Sequence, residues 1–153
     1  MERLGLIPVA QSVLDAFAMN DPEVSTKARE NGHIESIAAI YRAIAHNDFD
    51  ALMAMVDSDV VVDIYAPAEF PFIRHANGIE EVHCLVTRNF SMVAEQNAEV
   101  ISVVAQGDAV VMVGKETGKL RESGRPYDVR FMQHFIFRRN RLYRFLELAA
   151  LSE

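Results

Sequence analysis

Glu116, Glu147 and Gln133 each fall on a strand-like run among apolar neighbours, the setting in which a polar side chain can do proton-transfer work. Glu147 follows Phe145 on one face of its run. A carboxyl held among apolar groups has a raised pKa, which suits acid–base chemistry near neutral pH. The competing reading of Glu147 is an ion pair with Arg130 or Arg144. Glu116 shares a face with Val110 and Met112 and is a candidate second carboxylate, or else a solvated hairpin residue beside Lys115. Gln133 shares a face with Phe131 and Phe135, where its amide fixes a ligand carbonyl or sits as a satisfied core group. Tyr41 lies on a helical apolar stripe and either turns its hydroxyl into the same space or packs as core. His75, between Phe72 and Gly78, is a candidate base at a pocket rim or a plain surface histidine. His134 points the opposite way from Gln133.

Other chemistries find little support. His33, His46, His75, His83 and His134 show no HExxH or paired spacing, and Cys84 stands alone, so no metal site is expected. Gly114-Lys115-Glu116-Thr117-Gly118-Lys119 lacks the glycine spacing and the Ser/Thr of a phosphate loop and reads better as a hairpin. Asn89-Phe90-Ser91 fits a glycosylation sequon but lies within a helical stretch. No Ser-His-Asp or Cys-His array is present, and the apolar neighbours of Cys84 predict a buried, inert thiol.

The elements that must hold these groups follow from periodicity. Residues 1–31 read as an N-terminal arm: Val9, Val13 and Phe17 make a short helical stripe after Pro8, and 21–31 reads as a polar loop ending at Asn31-Gly32. The main domain, 32–153, starts near His33, with Ile34, Ile37, Ile40, Tyr41 and Ile44 on one helical face. Asn47 or Asp48 caps a second short helix. Val60-Val61-Val62 reads as a buried strand, since β-branched side chains fit a pleated sheet better than a helix. Residues 65–77 read as an ordered loop, and Ile79, Val82, Val86, Phe90 and Val93 mark a further helix, the period turning strand-like after Gln96. Four strands follow, over about 99–106, 109–120, 126–138 and 141–150, joined by turns short enough to force antiparallel pairing. Helices first and strands after predict an α+β layout. The last strands are apolar on both faces. One face must cover the helices, and the other, with Met132, Ile136 and Leu146, predicts a homodimer through the outer sheet face.

Composition bounds the function. The chain has 153 residues, 50% of them hydrophobic and 24% charged, which fits one folded domain. Its net charge of −7 argues against nucleic acid and anionic membranes as partners. A single cysteine permits no internal disulfide and points to a reducing compartment, the cytoplasm. Met1-Glu2-Arg3-Leu4 lacks the basic lead of a signal peptide, and the apolar run after it is broken too often to span a membrane.

The order of several short segments resembles the SnoaL-like, ketosteroid isomerase-like branch of the nuclear transport factor 2-like superfamily. They are Asp59-Val60-Val61-Val62-Asp63-Ile64, Pro67-Ala68-Glu69-Phe70-Pro71-Phe72, Gly78-Ile79-Glu80-Glu81-Val82, Gly114-Lys115-Glu116-Thr117-Gly118 and Arg144-Phe145-Leu146-Glu147. The resemblance covers about 33–149. It implies a cone-shaped barrel made by a curved, mainly antiparallel sheet wrapped around three N-terminal helices, with an apolar pocket at its open end. It also implies a choice of chemistries that range from isomerases and polyketide cyclases to epoxide hydrolases, dehydratases and pure binding domains. In ketosteroid isomerases a carboxylate base, a helix tyrosine and a late-strand carboxylic acid act on the substrate. Matching these positions gives Ile64, Ile40 and Gln133, none of which carries the required group. A match shifted by one residue would bring in Asp63 and Tyr41 instead.

Steroid-type isomerisation is therefore not expected. The expectation is a cofactor-independent acid–base enzyme on a small hydrophobic molecule, with Glu147, Gln133, Tyr41 and His75 as catalytic candidates. Ile40, Val62, Ile64, Phe131, Phe135, Phe145 and Glu116 are the candidates for ligand contact. The alternatives are a non-catalytic pocket for a small hydrophobic ligand, or a dimerisation domain of the same fold.

Overall fold

The computed structural model describes residues 28–153. The apolar stripe expected over Val9, Val13 and Phe17 lies outside them. Helix α1 runs Ala28–Ala45, so residues 28–31, expected in a loop, form its first turn, and Asn31-Gly32 sit inside it. Glu30 in that first turn complements the helix dipole and also accepts from the Gly107 N–H at 2.8 Å. The helix stops at Asn47, whose φ of 53° is left-handed; Asp48 N donates back to Ala43 O and Asn47 N to Ile44 O, which satisfies the last carbonyls. Asp48 then caps helix α2, Phe49–Ala54, its side chain accepting from Ala51 N at 3.0 Å.

Strand β1 is Val56–Tyr65, β2 is His75–Asn77, and helix α3 is Gly78–Ser91. Strands β3 (Val93–Gln106), β4 (Ala109–Leu120), β5 (Pro126–Arg138) and β6 (Arg141–Leu151) complete the described chain; Val93, expected on the helical stripe, is corrected to the start of β3, which begins six residues before the expected 99. The end of the expected 65–77 loop is thus corrected to a short edge strand, paired with β1 through Val62 and Ala76. The preceding 66–74 segment is held by the Arg74 guanidinium, which donates to the carbonyls of Ala66, Pro67 and Phe70 at 2.7–3.0 Å. Cys84, expected buried, is exposed.

The sheet order is β2-β1-β6-β5-β4-β3. The three hairpins are antiparallel, as their short turns require, while β1 joins β6 in parallel. Arg139 and Asn140, both at positive φ, make the two-residue turn whose twist matches the β5–β6 strands. The sheet is curved and not closed into a barrel, and the helices pack on its concave side. Ile37, Ile40, Ile44, Val60, Val62, Val110, Met112 and Phe135 form the core between the two layers. His33 is buried there, stacked on Phe137 at 4.3 Å and bonded to Asp108 at 3.0 Å, which locks α1 to the β3–β4 turn. Among the described residues no helix is long and apolar enough to cross a membrane.

Strict alternation along β5 sends Tyr127, Val129, Phe131, Gln133, Phe135 and Phe137 inward. Strand β3 behaves differently. Val93 is buried, then Gln96, Ala98 and Val100, then Val103, so the inward parity changes twice. The changes fall at two register shifts against β4, between Ala94 and Asn97 and between Val100 and Ser102. Each adds a residue and flips the following side chains to the other face. At the first, Glu95 takes a left-handed φ of 53°.

Candidate active site

Between the helices and the concave face lies a cavity of about 180 Å³. Ile40, Ile44, Leu52, Val62, Ile64, Val82, Leu85, Phe131, Phe135 and Phe145 give it apolar walls. Its polar lining comes from Tyr41, Asn89, Gln96, Glu116, Gln133 and Glu147.

The strand registers set the polar groups at one level. Gln133 on β5 stands opposite Glu147 on β6, and Glu147 in turn neighbours Ile64 on β1. Hydrogen bonds run in one direction through this row: the Tyr41 hydroxyl donates to Gln133 Oε1 at 2.6 Å, and Gln133 Nε2 donates to Glu147 Oε1 at 2.7 Å. Burial holds the Glu147 carboxyl above its ordinary pKa against the opposing effect of the Gln133 bond. The ion pair with Arg130 or Arg144 is not formed: Gln133 is the partner, and Arg144 lies over the Tyr143 ring instead. Burial, with the Glu147 charge behind it, pushes the Tyr41 hydroxyl far up, so it stays a donor at all ordinary pH.

Glu116 sits on β4 between two glycines, each directly opposite an aromatic residue of β5: Gly114 faces Phe131 and Gly118 faces Tyr127. A Cβ at Gly118 would stand 2.6 Å from the Tyr127 hydroxyl, and one at Gly114 would stand 2.5 Å from Phe131 and from the Glu99 carbonyl oxygen. The missing side chains let both rings lie over the strand on either side of the carboxyl. Tyr127 then donates to Glu116 Oε2 at 2.7 Å. Burial, offset in part by the Tyr127 bond and raised further by Glu147, brings the Glu116 pKa from 4.5 to about 7. The solvated-hairpin reading of Glu116 is corrected, because Lys115 points outward and pairs with Glu99 at 3.2 Å.

Of the other candidates, Ile40, Val62, Ile64, Phe131, Phe135 and Phe145 all line the cavity. His75 does not. It stands on the edge strand with its side chain 55% exposed, bonded to Asp63 at 2.6 Å. Asp63 thereby points away from Ile64, which disposes of the shifted match for that residue, whereas Tyr41 does reach the cavity. Among the described residues no three His, Cys, Asp or Glu side chains stand together as metal ligands.

Asn89 and Gln96 are the polar lining residues that sequence reasoning missed, and the cause is clearest for Gln96. Regular alternation from Val93 would turn it outward, and only the bulge at Glu95 brings it in. Its amide donates to Glu116 and to Tyr127. The glycine–carboxylate–glycine spacing over 114–118 was the available signal for Glu116, and its meaning lies in the rings of the neighbouring strand.

An open sheet curved over helices around an apolar cavity is the arrangement that the resemblance to nuclear transport factor 2-like proteins implies, and solved structures share it. The model of the SnoaL-like domain matches residues 37–145, and the chain belongs to that family. A nuclear transport factor 2-like protein from Burkholderia xenovorans is similar over 79% of this chain and 91% of its own, with 21% identity and a TM-score of 0.71. A protein from a Jannaschia species described as a SnoaL-like polyketide cyclase aligns over 82% and 90% at 15% identity, TM-score 0.70. An LEH-like epoxide hydrolase of M. tuberculosis aligns over 79% and 84% at 16% identity, TM-score 0.58. At these identities the likeness is one of fold. A search of the curated proteins finds no match.

Proposed function

We propose that this chain is a cofactor-independent acid–base enzyme acting on a small, mostly apolar molecule. The observation that carries the reading is the Glu116 carboxyl, brought to about 7 by burial in a cavity that holds a second carboxyl, Glu147. A group with that pKa both accepts and releases protons at neutral pH. Gln133 and Tyr41 orient Glu147, and Phe131, Phe135 and Phe145 keep bulk water from the reacting atoms.

Among isomerisation, cyclisation, hydration and dehydration, the internal hydrogen bonds favour the last two. Stabilising an enolate needs free donors aimed at a developing oxyanion. Here the tyrosine hydroxyls are committed, Tyr41 to Gln133 and Tyr127 to Glu116, which leaves a protonated Glu147 as the carboxyl donor. Two carboxyls instead suit the addition or removal of water. For water adding to an epoxide, Glu116, ionised, takes a proton from the water that attacks one ring carbon, while Glu147, protonated, gives its proton to the ring oxygen whose bond to that carbon breaks.

The epoxide hydrolase among the structural relatives makes cyclohexene oxide a fitting probe, since adding water to it gives cyclohexane-1,2-diol with no other reactant. Hydration above the buffer rate is expected, and Glu116→Gln and Glu147→Gln should each lower it by roughly 10²–10⁴-fold. A probe that binds without turning over would favour the second reading, a non-catalytic pocket for a small hydrophobic ligand. The absence of carboxyls at Ile64 and Gln133 is what supports that second reading.

We also propose that the outer sheet face meets a second copy of the chain. Val104, Val113, Met132 and Leu148 are exposed there, and their strands are adjacent, so they form one apolar field rather than scattered residues. The lone Cys84 fits a reducing compartment, and the proposed location is the cytoplasm.

A further inference from the structure

We infer that Phe70 is a positioning residue for Glu116: from outside the cavity, its ring holds Tyr127 in place to donate to the carboxyl. The inference rests on the reading of Glu116 as the proton-transferring group and adds the contact that keeps its donor in register.

Tyr127 needs such a support. It stands near the start of β5, where Lys119–Pro126 is the last pair with β4 and proline has no N–H to donate. On the other side β6 ends short of it: the last pair is Val129–Leu151, and beyond it Ser152 N reaches only Asp128 O, at 2.9 Å. Among the described residues the Tyr127 backbone is thus paired on one side only. Its ring lies over Gly118, which has no side chain to steer it. What fixes the ring must come from another element.

That element is the 66–74 segment. Phe70 is 4% exposed and meets the Tyr127 ring edge to face, with centroids 5.2 Å apart and planes at 77°. Phe72 backs Phe70 at 5.3 Å, and Val93 and Val129 complete a small apolar cluster separate from the main core. The segment is itself well tied. Arg74 binds three of its carbonyls, that of Phe70 among them at 3.0 Å, and Phe70 N donates to Pro67 O at 3.0 Å. The Asn89 amide holds both backbone groups of Ile73, at 2.8 and 2.9 Å. Next to Phe70, Glu69 pairs at 2.9 Å with Arg125, two residues before Tyr127. Such an exposed pair adds little by itself, so the Phe70 ring carries the support.

Neither Phe70 nor Tyr127 lines the cavity, whereas Glu116 does, so the support acts from behind the wall. The groups that face Glu116 are Tyr127 from β5, Gln96 from β3 and Glu147 from β6, and none is a cation. Of the two hydrogen bonds that favour its ionised form, the one from Tyr127 is the stronger. A ring that drifts off the carboxyl therefore leaves Glu116 protonated to higher pH.

Carbon-13 titration of the glutamate carboxyls in the whole chain tests this with Phe70→Leu, which keeps an apolar side chain and removes the ring. The Glu116 midpoint should rise by roughly half a unit to one unit. Phe70→Met should move it the same way and decides the matter should Phe70→Leu fold poorly. In a Tyr127→Phe background no hydroxyl is left to position, and Phe70→Leu should shift nothing further. Ile37→Ala is the control for general loosening: Ile37 is fully buried in the main core but does not line the cavity, and its loss should leave the midpoint in place. The inference is overturned if the Phe70 variants leave the midpoint unmoved, if the shift persists without the Tyr127 hydroxyl, or if Ile37→Ala produces it equally. Any of these results removes this inference alone; a wild-type Glu116 that titrates at the ordinary 4.5 removes the acid–base reading with it.

Discussion

Tyr127 reaches Glu116 at 2.7 Å because the residue opposite Tyr127 is Gly118, which has no side chain to hold the ring away. The hydroxyl lowers a carboxyl pKa that burial alone would lift higher. Tyr127→Phe therefore removes a donor to the ionised form while leaving the packing almost unchanged. A hydrogen bond to a charged group contributes about 1.5–3 kcal/mol and one pH unit corresponds to about 1.4 kcal/mol, so the Glu116 titration should move up by roughly one unit or more. Carbon-13 spectra of the glutamate carboxyls read this directly, and an unmoved midpoint would show that Tyr127 does not set it.

Gly118→Ala should reproduce that titration shift by another route. Its Cβ would stand 2.6–2.8 Å from the Tyr127 hydroxyl end, so the ring must move off the carboxyl, at a cost of about 1–3 kcal/mol. Gly114→Ala is expected to cost more, because one of the atoms in the way is the Glu99 carbonyl oxygen in the backbone of β3, which cannot swing aside. Denaturant unfolding of the two variants should rank them in that order.

Glu116 also links stability to pH. Its folded pKa, about 7, lies above the ordinary 4.5, so the folded state holds the proton more tightly than the unfolded chain. The stability this provides is complete below about pH 4.5 and is lost as pH rises through about 7. At 1.36 kcal/mol per unit the full swing is on the order of 3 kcal/mol. Glu116→Gln cannot ionise and should flatten the decline, gaining on the wild type steadily from pH 5 to 8 in thermal melts. Parallel curves would mean that Glu116 is solvated in solution.

The row Tyr41–Gln133–Glu147 should behave as one unit. Tyr41→Phe leaves the Gln133 oxygen without its donor, and Gln133→Leu strands both the tyrosine hydroxyl and the carboxyl, each at about 1–3 kcal/mol. Because the two changes share one bond, the double variant should lose less than the sum of the single ones. Strict additivity in a denaturation cycle would contradict the network.

Much of this fold was legible in the chain. The three hairpins and the inward faces of β4 and β5 followed from period-two alternation and short turns, which are local properties. The inward position of Glu147 was readable from Phe145 on the same face. Three features were not readable, each because its cause lies in another element. The bulge at Glu95 inverts the parity that would place Gln96 outside, and nothing in Glu95-Gln96-Asn97 announces it. Glu116 beside Lys115 looked like a solvated pair until the opposing rings of Phe131 and Tyr127 gave the flanking glycines a purpose. His75 looked like a loop base, yet its backbone pairs with Asp63 across β1 and β2, and that edge carries the ring away from the cavity.

The outer face offers the last prediction. Register places Val113 opposite Met132 and Met132 opposite Leu148, so these three side chains form a continuous row across β4, β5 and β6 on the convex side. All three are exposed, as is Val104 farther along β3. Charged residues border the row, with Lys115 opposite both Glu99 and Arg130, which is the apolar centre and polar rim of an association surface. Met132→Glu sets a charge in the middle of the row without touching the cavity lining, which Phe131 and Gln133 supply from the opposite face of β5. Sedimentation at micromolar concentration should show the wild type as a dimer and Met132→Glu as a folded monomer. A wild type that sediments as a monomer at that concentration would remove the second copy from the proposal.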